Sequence, residues 1–179
     1  MGKTLLLEGR PGVGKTTVIK AVVDQLGDRA GGFYTEEIRD QDGRRRGFRL
    51  VTLGGDEAVM AHTDLRARNR PRVGRYGVNV EAVDEVGVSA IRQALRPGQV
   101  VVIDEIGKME LFSDAFKRAV TDAVAGANRV LATVMSGPHP WVNQIRERPQ
   151  VEVCRVTVAN RDRLPEKVWE WLLVDAEAE

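Results

Sequence analysis

Short runs of consecutive apolar residues alternate along this chain with segments whose apolar positions recur every three or four residues, the pattern of strands alternating with helices. Leu5-Leu6-Leu7-Glu8 is too short for a helix and ends at a glycine-rich turn, whereas Thr16 to Leu26 has helical spacing. Strand, loop, helix is the opening order. Gly32 to Ile38 and Gly47 to Leu53 then flank the polar tip Asp40-Gln41-Asp42-Gly43, whose Asp-Gly step predicts a hairpin. A further short strand is expected at Ala58 to Ala61, after Gly54-Gly55-Asp56, so that an antiparallel insertion occupies the region near 32–62.

Leu65 to Asn79 shows neither period, is rich in arginine and contains Pro71, Gly74 and Gly77, which predicts a loop without regular structure. The helical period returns from Val80 to Leu95 and stops at Pro97-Gly98. Val100-Val101-Val102-Ile103 is a continuous apolar run, as in a strand buried on both faces, and Asp104 is expected to end it. A helix over 112–125, a strand over 129–134, a short helix near 141–147, a strand over 151–158 and a helix from about 165 complete the reading. This alternation predicts an α/β fold in three layers, a mostly parallel sheet with helices on both faces. Ala176 to Glu179 reads as a frayed tail.

Composition narrows the picture. With 179 residues, 42% of them hydrophobic, the chain is expected to form a single domain over 1–179. The 27 basic residues are balanced by 26 acidic ones, so nothing global draws the chain to nucleic acid or an anionic membrane. No stretch approaches the roughly 18 apolar residues that span a bilayer, and the first residues lack a signal-like segment, which points to a cytoplasmic protein. Cys154, the lone cysteine, cannot form an internal disulfide and reads as a strand residue. A monomer is the expectation. His62 and His139 lack metal-ligand spacing, Trp169 and Trp171 read as docking the last helix onto the sheet, and Arg44-Arg45-Arg46 reads as a solvated turn.

Chemistry enters at Gly9-Arg10-Pro11-Gly12-Val13-Gly14-Lys15-Thr16, followed by Thr17, which matches G-x-x-x-x-G-K-[ST] between a buried strand and a helix start. Glycines let the backbone wrap a phosphate with its N–H groups turned inward, and the positive end of the next helix faces the same anion. Lys15 would reach the β and γ phosphates, and Thr16 would ligate magnesium. The second metal ligand expected is Asp104, at the end of the buried strand. Glu105 beside it is suited to orienting or deprotonating a water that attacks the γ phosphate, or else to backing a metal ligand or capping a helix. Ile103, Ile106 and Gly107 complete this segment of the nucleotide site.

Extra positive charge for the transferring phosphoryl group is expected from Arg72, Lys108 or Arg75, with Arg66, Arg68 and Arg70 crowding the same loop. Thr133, near the end of the strand over 129–134, is placed to touch the γ phosphate or its water if that strand neighbours the Asp104 strand. The last strand brings Asn160-Arg161-Asp162 to the edge where ligands of open α/β sheets collect, so Asn160 and Arg161 are expected to border the base, or to cap the last helix.

Together the glycine loop, Gly32-Phe33-Tyr34-Thr35-Glu36-Glu37, Pro71 to Asn79, Val102-Ile103-Asp104-Glu105-Ile106-Gly107-Lys108-Met109-Glu110-Leu111 and Asn160-Arg161-Asp162 resemble the cancer-related nucleoside-triphosphatase family. Arg10 stands where that family often has a second proline, and Met135 to Pro140 match it less closely. The resemblance implies a RecA-like P-loop fold and magnesium-dependent hydrolysis of ATP, GTP, CTP and UTP alike. Two other functions fit the residues: a nucleotide or small-molecule kinase with an arginine-rich lid, and a nucleotide-dependent switch or RNA-handling module.

Overall fold

The structure, a computed structural model, describes residues 2–173; the expected tail at 176–179 lies outside them. Nine strands join one sheet in the order β5-β6-β4-β3-β2-β7-β8-β1-β9. Its parallel half contains β2 (Ala30–Arg39), β7 (Val100–Ile106), β8 (Arg129–Val134), β1 (Thr4–Glu8) and β9 (Val151–Arg155). The other half is antiparallel: β3 (Arg45–Thr52), β4 (Glu57–His62), β6 (Tyr76–Val78) and β5 (Arg72–Val73). The expected insertion near 32–62 is therefore an extension of the central sheet, with β2 belonging to both halves.

Strand alternation divides the core in two. Leu5, Leu7, Val100, Val102 and Leu131 face α1 (Lys15–Leu26) and α6 (Leu164–Leu173). Leu6, Val101, Ile103, Val130 and Ala132 face the opposite layer. There α2 (Val80–Ala82) runs through a π-helical turn over Val83–Val88 into α3 (Ser89–Ala94), beside α4 (Asp114–Ala125) and α5 (Pro140–Arg146). Phe33 of β2 and Phe116 of α4 are fully buried with ring centroids 6.4 Å apart. Cutting either back to alanine is expected to cost about 3–5 kcal/mol.

Element ends differ from the sequence reading where side chains cap the backbone. Ser113 Oγ accepts from the Phe116 N–H at 2.8 Å, so α4 begins at Asp114, and Glu110–Phe112 forms a separate 3-10 turn. His139 Nδ1 accepts from the Val142 N–H, and Pro140 occupies the first turn of α5. Asn160 Oδ1 takes the Thr157 N–H at 2.8 Å, and β9 ends at Arg155 instead of reaching 158. The segment read as an irregular loop contains the β5–β6 hairpin, turning at Gly74 with φ 55°. Asp104 does not end its strand: β7 continues to Ile106, and its register against β8 shifts between Ile103 and Ile106.

Candidate active site

The loop between β1 and α1 turns at Gly12 and Gly14, with φ of 78° and 115°, values that side chains oppose. Gly14 is the N-cap of α1 and offers no side-chain cap, so the first N–H groups of the helix are left for an anion. Lys15 is 7% exposed, and its Nζ donates to Gly9 O at 2.8 Å and lies 3.3 Å from Glu105 Oε2. Arg161 donates to Val13 O at 3.1 Å from the opposite side. The loop is held between β7 and the segment after β9.

Asp104 is 1% exposed and collects three donors. Thr16 Oγ1 donates to Oδ2 at 2.8 Å, Thr133 Oγ1 to Oδ1 at 2.5 Å, and the Thr35 N–H to Oδ2 at 3.5 Å. Burial pushes its carboxyl above the usual range, while the hydroxyls of Thr133 and Thr16 pull the other way. Burial also raises Glu105, which Lys15 partly offsets and the charge of Asp104 reinforces. Glu110, 3% exposed, is pushed up to about 8 by burial and then by the charge of Glu105. Between these last two lies Gly107, where a Cβ would fall 2.7 Å from Glu105 Oε1 and 3.1 Å from Glu110 Oε2. A glycine there is what lets both carboxyls crowd the turn after β7.

Glu105 and Glu110 open on a cleft of about 790 Å³, which Asp104 approaches through its bond from Thr16. Gly9, Pro11, Gly12, Gly14, Lys15, Thr16 and Thr17 line one end of it; Glu105 and Lys108 also line it, with Lys108 exposed and without a hydrogen-bond or ion-pair partner among the described residues. Thr133 reaches the site indirectly, through Asp104. Ile103 and Ile106, expected at the nucleotide, instead bury their side chains in the core, because β7 is covered on both faces. Arg72 donates to the carbonyls of Arg75 at 2.8 Å and Leu65 at 3.4 Å and does not line the cleft. Arg75 is likewise turned to Arg45 O and the Tyr76 hydroxyl. Both guanidiniums are thus spent within and around the β5–β6 hairpin, Arg72 on its turn and on Leu65, Arg75 on β3 and Tyr76. The arginine that does line the cleft is Arg45, from the turn read as solvated.

Asn160 spends its amide on the turn after β9, accepting from Thr157 N and donating to Arg155 O. Its side chain ties that turn and does not cap α6, which starts at Leu164, and Arg161 braces the P-loop backbone. Glu110 and Thr35 were not singled out from sequence as site residues. Both stand inside the motif blocks around Asp104 and Gly32, but a buried carboxyl and a backbone N–H have no spacing signature of their own.

The comparisons with known proteins agree with this geometry. The sequence pattern of a family described as NTPase matches residues 4–169. The chain is 44% identical over 164 residues to the nucleoside-triphosphatase THEP1 of Thermotoga petrophila, covering 92% of this chain and 89% of the relative. It is 41% identical over 179 residues to THEP1 of Methanopyrus kandleri, covering 97% of each. The crystal structure of THEP1 from Aquifex aeolicus superposes with a TM-score of 0.84 at 37% identity, covering 94% of this chain and 98% of that one. The solution structure of a human cancer-related nucleoside triphosphatase gives 0.82 at 37% identity, covering 96% and 97%. A P-loop tied to a carboxylate pair at the end of β7, in a chain so matched along its length, belongs to the NTPase family.

Proposed function

We propose that this chain hydrolyses nucleoside 5′-triphosphates to the diphosphate and phosphate, using magnesium, with Glu105 as the general base. The observation that carries the reading is the contact of Lys15 with Glu105 beside an Asp104 already bonded to Thr16. Lysine, hydroxyl and two carboxyls meet where the γ phosphate of a nucleotide on the P-loop would lie.

The Thr16 hydroxyl and Asp104 carboxylate are hard oxygen donors, a set that fits magnesium, which retains waters and phosphate oxygens as its other ligands. Bound there, the ion would neutralise charge on the β and γ oxygens. The P-loop N–H groups hold the β phosphate, and the γ phosphate offers Lys15 a stronger acceptor than the carbonyl of Gly9. Drawn onto it, the lysine leaves the Glu105 carboxylate free to take a proton from water. A bond forms from the water oxygen to Pγ, the bond from Pγ to the bridging oxygen breaks, and the diphosphate leaves. A carboxyl raised by burial is the better base near neutral pH. Lys108, which lines the cleft without a hydrogen-bond or ion-pair partner among the described residues, supplies a cation for the transition-state charge.

Broad base tolerance, covering ATP, GTP, CTP and UTP, is supported by Asn160 and Arg161. Their hydrogen bonds go to backbone and leave little to read a base edge. Phosphate release from each of the four nucleotides, with magnesium and no acceptor, tests the reading in wild type and Glu105→Gln. Release from several nucleotides that the variant abolishes is expected; nucleotide binding without release would overturn it.

A further inference from the structure

The cleft is longer than hydrolysis requires. Besides Glu105 and Glu110 it is lined by Met109 and by a wall contributed by the antiparallel strands, with Phe48 from β3, Met60 from β4, and Val73 and Tyr76 from the β5–β6 hairpin. This half is apolar and built with fixed geometry. Met60 is 2% and Tyr76 8% exposed. The rings of Phe48 and Tyr76 meet edge to face with centroids 5.3 Å apart. The Arg45 guanidinium lies 5.2 Å from the Phe48 centroid, donates to the Tyr76 hydroxyl at 3.0 Å and to Glu37 Oε1 at 2.8 Å. Glu37 also lines the cleft, held below the usual carboxylate range by the Arg45 hydrogen bond. An attacking water needs none of this, whereas pockets of about 300–1,000 Å³ with apolar walls and a few fixed polar groups hold small organic molecules.

Sheet order decides which molecule. Glu105 and Asp104 are on β7, on the β2 side of the P-loop, while Arg161 touches the loop from the β9 side. The γ-phosphate end, marked by Lys15 and Glu105, therefore faces the antiparallel strands. A molecule against Phe48 and Tyr76 stands where a nucleophile approaches Pγ, and Glu105 lies between the two. Aromatic walls suit a flat ring. A guanidinium and a carboxylate side by side offer donors and acceptors without net charge, which suits a neutral ring carrying both, as a nucleobase does.

We propose that the apolar half of the cleft binds a nucleoside as a second substrate, and that its ribose hydroxyl accepts the γ-phosphoryl group in competition with water. The inference rests on the reading of Glu105 and the P-loop given above. The hydroxyl oxygen forms a bond to Pγ, its proton passes to Glu105, and the bond from Pγ to the bridging oxygen breaks. The products are a nucleoside monophosphate and a nucleoside diphosphate. Met109, Phe48 and Met60 line this approach with apolar side chains, and an acceptor seated on them would displace water, a condition that favours transfer over hydrolysis.

The test follows γ-labelled ATP with magnesium and adenosine, guanosine, cytidine or uridine, resolving labelled nucleoside monophosphate from free phosphate. Labelled monophosphate is expected with at least one nucleoside. Its ratio to free phosphate should fall about tenfold or more in Phe48→Leu and in Arg45→Ala, two substitutions that leave buried Met60 and Tyr76 in place. Methyl resonances of Met60 and Met109, in protein holding ADP, should shift on adding that nucleoside. Free phosphate continuing without labelled product, whether or not those methyls shift, would overturn the acceptor role and leave the hydrolase standing. A rise in KM for ATP in Phe48→Leu, without any nucleoside present, would assign the wall to the donor's own base and also overturn it. If wild type produced neither phosphate nor monophosphate, the hydrolase reading would fall with it.

Discussion

Lys15 Nζ lies 3.3 Å from Glu105 Oε2, which joins the phosphate loop to the end of β7 through the two side chains that the proposed hydrolysis brings to the γ phosphate. The pair makes a specific demand on a variant. Glu105→Gln keeps the shape but removes the base and the negative charge that competes with phosphate for Lys15. Turnover is expected to fall about a hundredfold or more, with nucleotide affinity unchanged or improved. Steady-state kinetics together with a nucleotide-binding titration check both halves; a rise in KM with kcat intact would point to a binding role for Glu105.

Thr133 makes the shortest of the contacts to Asp104 given above, and it does so inside the core. Thr133→Val keeps the volume and leaves Asp104 Oδ1 without its donor. The metal site is then less well oriented, and the magnesium concentration for half-maximal turnover is expected to rise about 10- to 100-fold. A magnesium titration of phosphate release measures this. Recovery of turnover at high magnesium separates lost metal affinity from lost chemistry.

The legible parts were those with a local signal. Gly9 to Thr16 is written as a contiguous motif because one loop carries the turn glycines, the lysine and the helix start together, and β7 announces itself through four apolar residues before Asp104. Thr133 was singled out by its strand position, but for a contact with the γ phosphate or its water, whereas it is buried and donates to Asp104. The β5–β6 hairpin was not legible: strands of two and three residues are too short to show a period of two, and their pairing comes from β4. Arg72 and Arg75 were expected at the phosphates for the same reason, since a loop without regular structure was read where Arg72 in fact bonds to the Arg75 carbonyl and Arg75 to the Arg45 carbonyl and Tyr76. Ile103 and Ile106 adjoin the acidic pair in sequence but are buried in one and the same core layer, across the irregularity of β7 between them. Glu110 escaped because its burial depends on the 3-10 turn that precedes α4.

Gly107 offers a test of how closely the two glutamates must be placed. Its added Cβ in Gly107→Ala would press on the carboxyl ends of Glu105 and Glu110, not on backbone, so the fold has room to yield. Thermal stability is expected to change little while kcat falls by about tenfold or more, because the base is pushed from its position. If kcat stayed within error of wild type, close approach at Gly107 would be irrelevant to catalysis.

Glu110 sets a pH dependence that can be signed. Its carboxyl is pushed up to about 8 in the folded protein from the ordinary 4.5, so the native state binds a proton that the unfolded chain has released. Between those values the native state holds more protons, and stability falls as pH rises. This contribution is fully present below about 4.5 and is lost as pH climbs through about 8. Asp104 and Glu105, also raised, act in the same direction. Glu110→Gln removes one titrating group while keeping a neutral side chain of the same shape. Its thermal unfolding, measured without nucleotide or magnesium, should lose less midpoint temperature than wild type across that window. The two proteins should lie closest at the acid end and diverge toward pH 8, with the variant the more stable. Parallel curves would mean that Glu110 is already ionised throughout and that its burial is relieved by a partner at neutral pH.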